Sequence, residues 1–203
     1  MTTDSPYDGL RENQWLEKTE ELVAAHPLDR GQIVDVVLSA WNSIFSLKVN
    51  PRGFRIGVEL RPKPQIMGFF LHELIPLELS ARAPKNWRGD KTASEKDLVY
   101  IPNDAFSVEI KTSSNKSRIF GNRSYAQKSS ADKKAKSGYY LAVNFESFES
   151  AGRRRPEILL VRFGWIDSRD WIGQAAATGQ QARLPSSVET SKLLTLYSSR
   201  QLE

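Results

Sequence analysis

The chain contains no cysteine, which removes disulfides, thiolate-bound metals, iron–sulfur clusters and thiol nucleophiles together. Its two histidines, His26 and His72, are too few for a histidine-rich zinc site or a repertoire of imidazole bases. No stretch reaches the about 18 apolar residues of a membrane span. The most apolar candidate, 66–79, is interrupted by His72, Glu73 and Glu78 and reads as a core helix. The opening Met-Thr-Thr-Asp-Ser has neither the basic nor the apolar region of a secretory leader, so a cytoplasmic protein without a membrane partner is expected. Internal repeats are absent. So are a glycine-rich phosphate loop, a dinucleotide fingerprint and a nucleophile elbow, which leaves a metabolic enzyme little support. Whatever chemistry exists must run on carboxylates, lysines and hydroxyls.

What is present is ordinary in amount and unusual in distribution. With 203 residues, 39% hydrophobic and 26% charged, the chain suits one core and is short for two. A single domain over 1–203 is expected, with 1–10 as a loose N-terminal arm. The net charge of +5 is divided unevenly. Residues 1–28 are acidic, whereas 111–136 hold Lys111, Lys116, Arg118, Arg123, Lys128, Lys133, Lys134 and Lys136 against Asp132 alone. A block of this density attracts polyanions, because each neutralised phosphate releases counterions; a solvated lysine-rich surface is the plainer alternative.

Apolar spacing predicts helices over 12–25, over 30–45 with Asp29 as its cap, and over 65–80 with Pro76 kinking or ending the last. A short strand is expected over 54–60, weakened by Gly57. Strands over 98–101 and 105–110, joined at Pro102-Asn103-Asp104, predict a β-hairpin. After the basic segment, Gly138 is expected to close a helix. Strands over 139–145 and 157–163 follow, then a turn into a short helix over 165–171. The expected fold is α/β, a single domain with a mixed central β-sheet flanked by helices.

The hairpin carries the chemistry. Alternation along its second strand places Glu109 and Lys111 on one face and Val108 and Ile110 on the other. A tight turn sets Asp97 opposite about Ile110, one step from both Glu109 and Lys111. Two carboxylates so placed suit Mg²⁺, a hard cation that prefers oxygen. A lysine beside them can orient or help deprotonate a water and stabilise charge on a phosphate. An isolated Glu-x-Lys is common on exposed strands; the preceding Asp, the apolar opposite face and the basic segment that follows make this one distinctive.

At Asp97, within Lys96-Asp-Leu-Val-Tyr100, and at Glu109-Ile-Lys111 followed by Thr112 and Ser113, the chain resembles the PD-(D/E)xK nuclease superfamily. Within it, the chain resembles the type II restriction endonucleases. The run Glu109-Ile-Lys-Thr-Ser-Ser-Asn115, continuing through Ile119 to Gln127, is similar to their ScaI-type branch. The resemblance implies a restriction-endonuclease-like fold. It also implies Mg²⁺-dependent hydrolysis of double-stranded DNA at a short palindrome by a homodimer. A companion DNA methyltransferase would protect the host. It makes Asp97 and Glu109 metal ligands and Lys111 the water-orienting lysine; Lys96 stands where the pattern has proline. A helix carboxylate often completes such a site, and here Glu73 or Glu78 would supply it, with Glu59 a weaker choice. His72 reads as a core or boundary residue.

For DNA contact the candidates are Thr112, Ser113, Asn115, Lys116, Arg118, Asn122, Arg123, Tyr125, Gln127 and Lys128. Arginine can pair bidentately with guanine and Asn or Gln with adenine, while lysines and serines suit phosphates. Arg153, Arg154 and Arg155 form a second basic cluster, and Trp87-Arg-Gly-Asp90 reads as a loop. The tryptophans Trp15, Trp41, Trp165 and Trp171 read as packing residues. Two other readings stay open: a repair or junction-resolving nuclease on the same core, and a basic DNA-binding protein without catalysis.

Overall fold

The computed structural model describes residues 5–127, 136–176 and 179–199. Asp29 caps the strongest predicted helix, its carboxylate accepting from Gln32 N–H at 2.9 Å while the Gln32 side chain reaches back to the Asp29 N–H. The helices are α1 (Trp15–Ala24), α2 (Arg30–Ile44) and α3 (Pro64–Arg82). Between the last two lies a small hairpin, β1 (Lys48–Val49) with β2 (Phe54–Arg55). The strand expected over 54–60 stops there, because Gly57 turns the backbone to φ 86°. Helix α3 runs through Pro76 to Arg82 with the proline buried against the strand layer.

The remaining elements are β3 (Trp87–Gly89), β4 (Leu98–Tyr100), β5 (Val108–Ser113), β6 (Phe120–Asn122) and β7 (Gly138–Phe145). After these come α4 (Phe148–Ala151), β8 (Ile158–Ile166), β9 (Ile172–Gly173), β10 (Gln181–Arg183), α5 (Ser186–Ser191) and β11 (Leu194–Ser198). Six strands form the central sheet in the order β11-β8-β7-β5-β4-β3. Every neighbouring pair is antiparallel except β5 with β7, so the sheet is mixed, as expected. Strand β7 is buried at all eight positions, since both faces of the sheet are covered.

Helices α1, α2 and α3 cover one face in a core that includes Val37, Trp41, Ile44, Leu71, Ile75, Val108, Ile110 and Phe163. The other face carries the three-stranded sheet β6-β10-β9 and α5, around Ile119, Tyr140, Trp171, Leu184 and Val188. Among the described residues no helix is long and apolar enough to cross a membrane.

Several expectations are corrected. The N-terminal arm is packed from residue 5: Tyr7 is buried, hydrogen-bonded to Thr19 at 2.8 Å and set 4.4 Å under the Lys192 ammonium. Residues 87–89 form an edge strand, because their partner β4 needs a neighbour on that side. Gly138 opens β7 instead of closing a helix, and the described part of the basic segment holds β6 and a 3-10 turn over Arg123–Ala126. The turn predicted over 165–171 comes later, because β8 extends to Ile166, and only a 3-10 turn follows over Ser168–Asp170.

Candidate active site

Strand β5 alternates as its sequence dictates, with Val108 and Ile110 under the helices and Glu109 and Lys111 on the other face. Because β6, β9 and β10 cover that face, Glu109 is only 2% exposed, not at the surface. The Lys111 ammonium meets Glu109 Oε1 at 2.7 Å. The phenol of Tyr125, from the turn after β6, donates to the same oxygen. Burial, then the neighbouring Glu109 charge, pushes that phenol far above its usual range, so it remains a donor.

Asp97 lies just before β4. Its strand pairs with β5 only through Leu98 opposite Val108, one residue short of the expected register, because a 3-10 turn over Asp104–Phe106 lengthens the connection. Beyond that pair the ladder stops, and the Asp97 carboxylate takes the place of a strand carbonyl by accepting from Ile110 N–H at 2.7 Å. Asp97 is thus held at the backbone of Ile110, the residue between Glu109 and Lys111.

Helix α3 brings His72, whose Nδ1 stands 3.7 Å from Asp97 Oδ2. That residue was read as part of the core boundary. The signal that finds it is Gly68 one turn earlier, which lets the helix close on Thr112. Glu73 does not join the carboxylates. Successive helical residues point about 100° apart, so while His72 turns to Asp97, Glu73 stands exposed on the wall of the adjoining cleft. Among the described residues no three acidic or histidine side chains gather closely enough to share an ion. Glu78 is engaged elsewhere, with Arg82 at 3.3 Å and Ser39 at 3.1 Å, and Glu59 accepts from the Arg55 backbone.

A cleft of about 870 Å³ opens alongside, lined by Gly68, Phe69, His72, Glu73, Thr112, Ser113, Ser114, Asn115 and Gln181 among others. Of the residues expected to touch DNA, Thr112, Ser113 and Asn115 line this cleft. Lys116, Arg118, Asn122 and Gln127 are exposed beyond it. Arg123 instead donates to the Gly179 carbonyl at 3.1 Å, holding the 3-10 turn to the β9–β10 connection. Tyr125 is turned into the carboxylate cluster, and Lys128 lies outside the described residues. In the second basic cluster Arg154 pairs with Glu146 at 2.9 Å, while Arg155 donates to Asn42 and stacks over Phe45.

The segment after β5 is held from below by a buried polar network. Arg162 on β8 meets Glu189 on α5 at 3.3 Å, Asn144 on β7 at 3.0 Å and the Ser117 carbonyl at 2.5 Å. Asn144 in turn donates to the carbonyls of Asn115 and Arg118, and Glu189 accepts from Ile119 N–H. Every one of these groups would be costly to bury alone. Together they tie the backbone of 115–119 to β7, β8 and α5.

A single α/β domain with a six-stranded mixed sheet covered by helices is consistent with the restriction-endonuclease-like class of fold. Comparison with known proteins narrows this. The family described as ScaI restriction endonuclease matches residues 5–197. Type II restriction enzyme ScaI of Streptomyces caespitosus is 48% identical over 201 residues, covering 98% of this chain and 88% of that protein. The chain belongs to the ScaI restriction endonuclease family and is a site-specific deoxyribonuclease. No solved structure matches it.

Proposed function

We propose that this enzyme hydrolyses both strands of double-stranded DNA at a short palindromic sequence, as a homodimer that requires Mg²⁺. The observation that carries the reading is the meeting of Lys111 with Glu109 at 2.7 Å beside the Asp97 carboxylate. The donors fit the ion: two carboxylates from adjacent strands suit a hard cation that fills its remaining positions with water and phosphate oxygens. Asp97 and Glu109 would hold it. Bound there, Mg²⁺ would polarise the scissile phosphate and acidify a water.

The chain's own groups do the rest. Ile110 N–H orients Asp97, and the closed face around Glu109 excludes bulk water, which strengthens every charge interaction there. Lys111 places a positive charge where negative charge develops on the phosphate and can hold the attacking water by one of its protons. Glu73, on the cleft wall, is exposed toward the nucleic acid and does not share the two-carboxylate cluster. Thr112, Ser113, Asn115, Lys116, Arg118, Asn122 and Gln127 provide the DNA surface. Arg123 and Tyr125 shape it from behind.

Cutting a palindrome on both strands calls for two such sites related by a two-fold axis, hence the homodimer. Such an activity in the cytoplasm would need a methyltransferase to shield the host's own sites. The test is digestion of supercoiled plasmid and phage DNA with and without Mg²⁺, beside Glu109→Ala and Lys111→Ala. Discrete fragments that need the ion and vanish in both variants are expected, and mapping them yields the site. Nicking or smearing would favour the repair or resolvase reading. Salt-sensitive binding without cutting would favour the non-catalytic one.

A further inference from the structure

Tyr125 sits in the DNA-facing segment of the chain, yet its side chain points away from the cleft into the carboxylate cluster. Its hydroxyl donates to Glu109 Oε1, the oxygen that also receives Lys111. Its ring lies under the Lys111 ammonium, 4.6 Å from Nζ. The indole of Trp171 packs against it at 5.0 Å. The site is shaped to admit this ring: a Cβ on Gly121 would stand 3.0 Å from Tyr125 Cγ and 3.2 Å from Trp171. One side chain therefore touches both members of the Glu-x-Lys pair through different chemistry.

A glutamate has three rotatable bonds and a lysine four. A carboxylate oxygen tied to two donors can no longer turn independently of them, and an ammonium drawn to a ring face is kept from swinging into solvent. We propose that Tyr125 is a positioning residue of the reaction, its hydroxyl setting the Glu109 carboxylate and its ring setting the Lys111 ammonium. The proposal rests on the reading of Glu109 as a metal ligand. Partners of this kind, one bond behind the ligand, commonly change metal affinity or activity by about ten- to a hundredfold when removed.

The experiment separates the two functions of the side chain. Tyr125→Phe keeps the ring and loses the hydroxyl, whereas Tyr125→Leu loses both. Each is titrated with Mn²⁺ without DNA, with the unbound ion followed by paramagnetic resonance. Each is then assayed for cleavage at varied Mg²⁺, for DNA affinity without divalent ion and for melting temperature. For Tyr125→Phe we expect Mn²⁺ affinity to fall about tenfold or more. The Mg²⁺ needed for half-maximal cleavage should rise in parallel, with DNA affinity and melting temperature close to wild type. Tyr125→Leu should in addition lower the rate at saturating Mg²⁺. Wild-type metal binding and cleavage in Tyr125→Phe would overturn the proposal. So would a loss of DNA affinity with the metal titration unmoved, which would make Tyr125 a DNA contact. Glu109→Ala is the control for the underlying reading: if it binds Mn²⁺ and cuts as wild type, the site assignment fails and the proposal falls with it.

Discussion

The Asp97 carboxylate and the Ile110 backbone N–H are joined at 2.7 Å across the end of the β4–β5 ladder, so a side chain completes a hydrogen bond that a strand would otherwise make. The bond turns a catalytic candidate into a structural element as well, and the two functions are separable. Asn retains an oxygen that can accept from Ile110 but lacks the charge. Asp97→Asn is expected to melt within about 1 kcal/mol of wild type. Its cleavage should fall by about a hundredfold or more. Asp97→Ala, which strands the N–H, should lose both. Chemical unfolding beside single-turnover cleavage of the mapped site checks each half.

The Arg162–Glu189 pair is buried on both sides, at 5% and 6% exposure. Arg162→Leu leaves a buried carboxylate without its cation, which costs about 3–5 kcal/mol. Because the same guanidinium holds the Ser117 carbonyl, the variant should also be cut faster by protease between Asn115 and Ile119. Equal stability, or unchanged proteolysis of that segment, would contradict the network's assigned function.

His26 lies among Phe106, Tyr139, Phe163 and Trp87, with Nδ1 accepting from Leu28 N–H and Nε2 donating to the Phe106 carbonyl. Burial lowers its pKa from 6.5 to about 4. The folded state thus resists a proton that the unfolded chain accepts. The contribution is fully present above about pH 6.5, declines as pH falls and is exhausted near pH 4, amounting to up to about 3 kcal/mol. Urea unfolding at pH 7.5, 6, 5 and 4 should show this slope in the wild type and a shallower one in His26→Gln. Parallel curves would disprove it.

Gly68 on α3 faces Thr112 on β5, and a Cβ there would lie 2.7 Å from Thr112 Oγ1. Alanine favours an isolated helix by up to about 1 kcal/mol. Overpacking should outweigh that preference, leaving Gly68→Ala less stable by about 1–2 kcal/mol net. It should cut DNA more slowly, since His72 and the cleft wall ride on the same helix. Adding Thr112→Ala should restore stability. Two additive effects in the double mutant would show that the contact is not the cause.

The central hairpin, β7 and the three helices were legible because each has a local cause: an Asp29 cap, an apolar stripe, or an alternation such as Val108-Glu109-Ile110-Lys111. The placement of Asp97 beside Ile110 followed from hairpin geometry, although the ladder itself is one residue out of the expected register. The short strands β3, β6, β9, β10 and β11 were not legible. Strands of two to five residues have almost no periodic signal, and their existence depends on partners distant in the chain. Tyr7 was read as part of a loose arm because nothing in 1–10 announces Thr19 and Lys192 as its neighbours.

The sequence by itself determined the elements of chemistry: no thiol, two imidazoles, and an Asp, a Glu and a Lys at hairpin spacing before a basic segment. Side-chain type and strand alternation are local properties, so they survive reading one residue at a time. Tertiary structure alone decided which groups surround that trio. His72 arrives because α3 closes on β5 at Gly68, Glu73 is left exposed on the cleft wall one helical step away, and Tyr125 is folded inward onto Glu109 and Lys111. These are contacts between residues from 14 (Lys111 with Tyr125) to 44 (Gly68 with Thr112) apart in the chain, set by how two faces of one sheet are covered, and no local pattern encodes them.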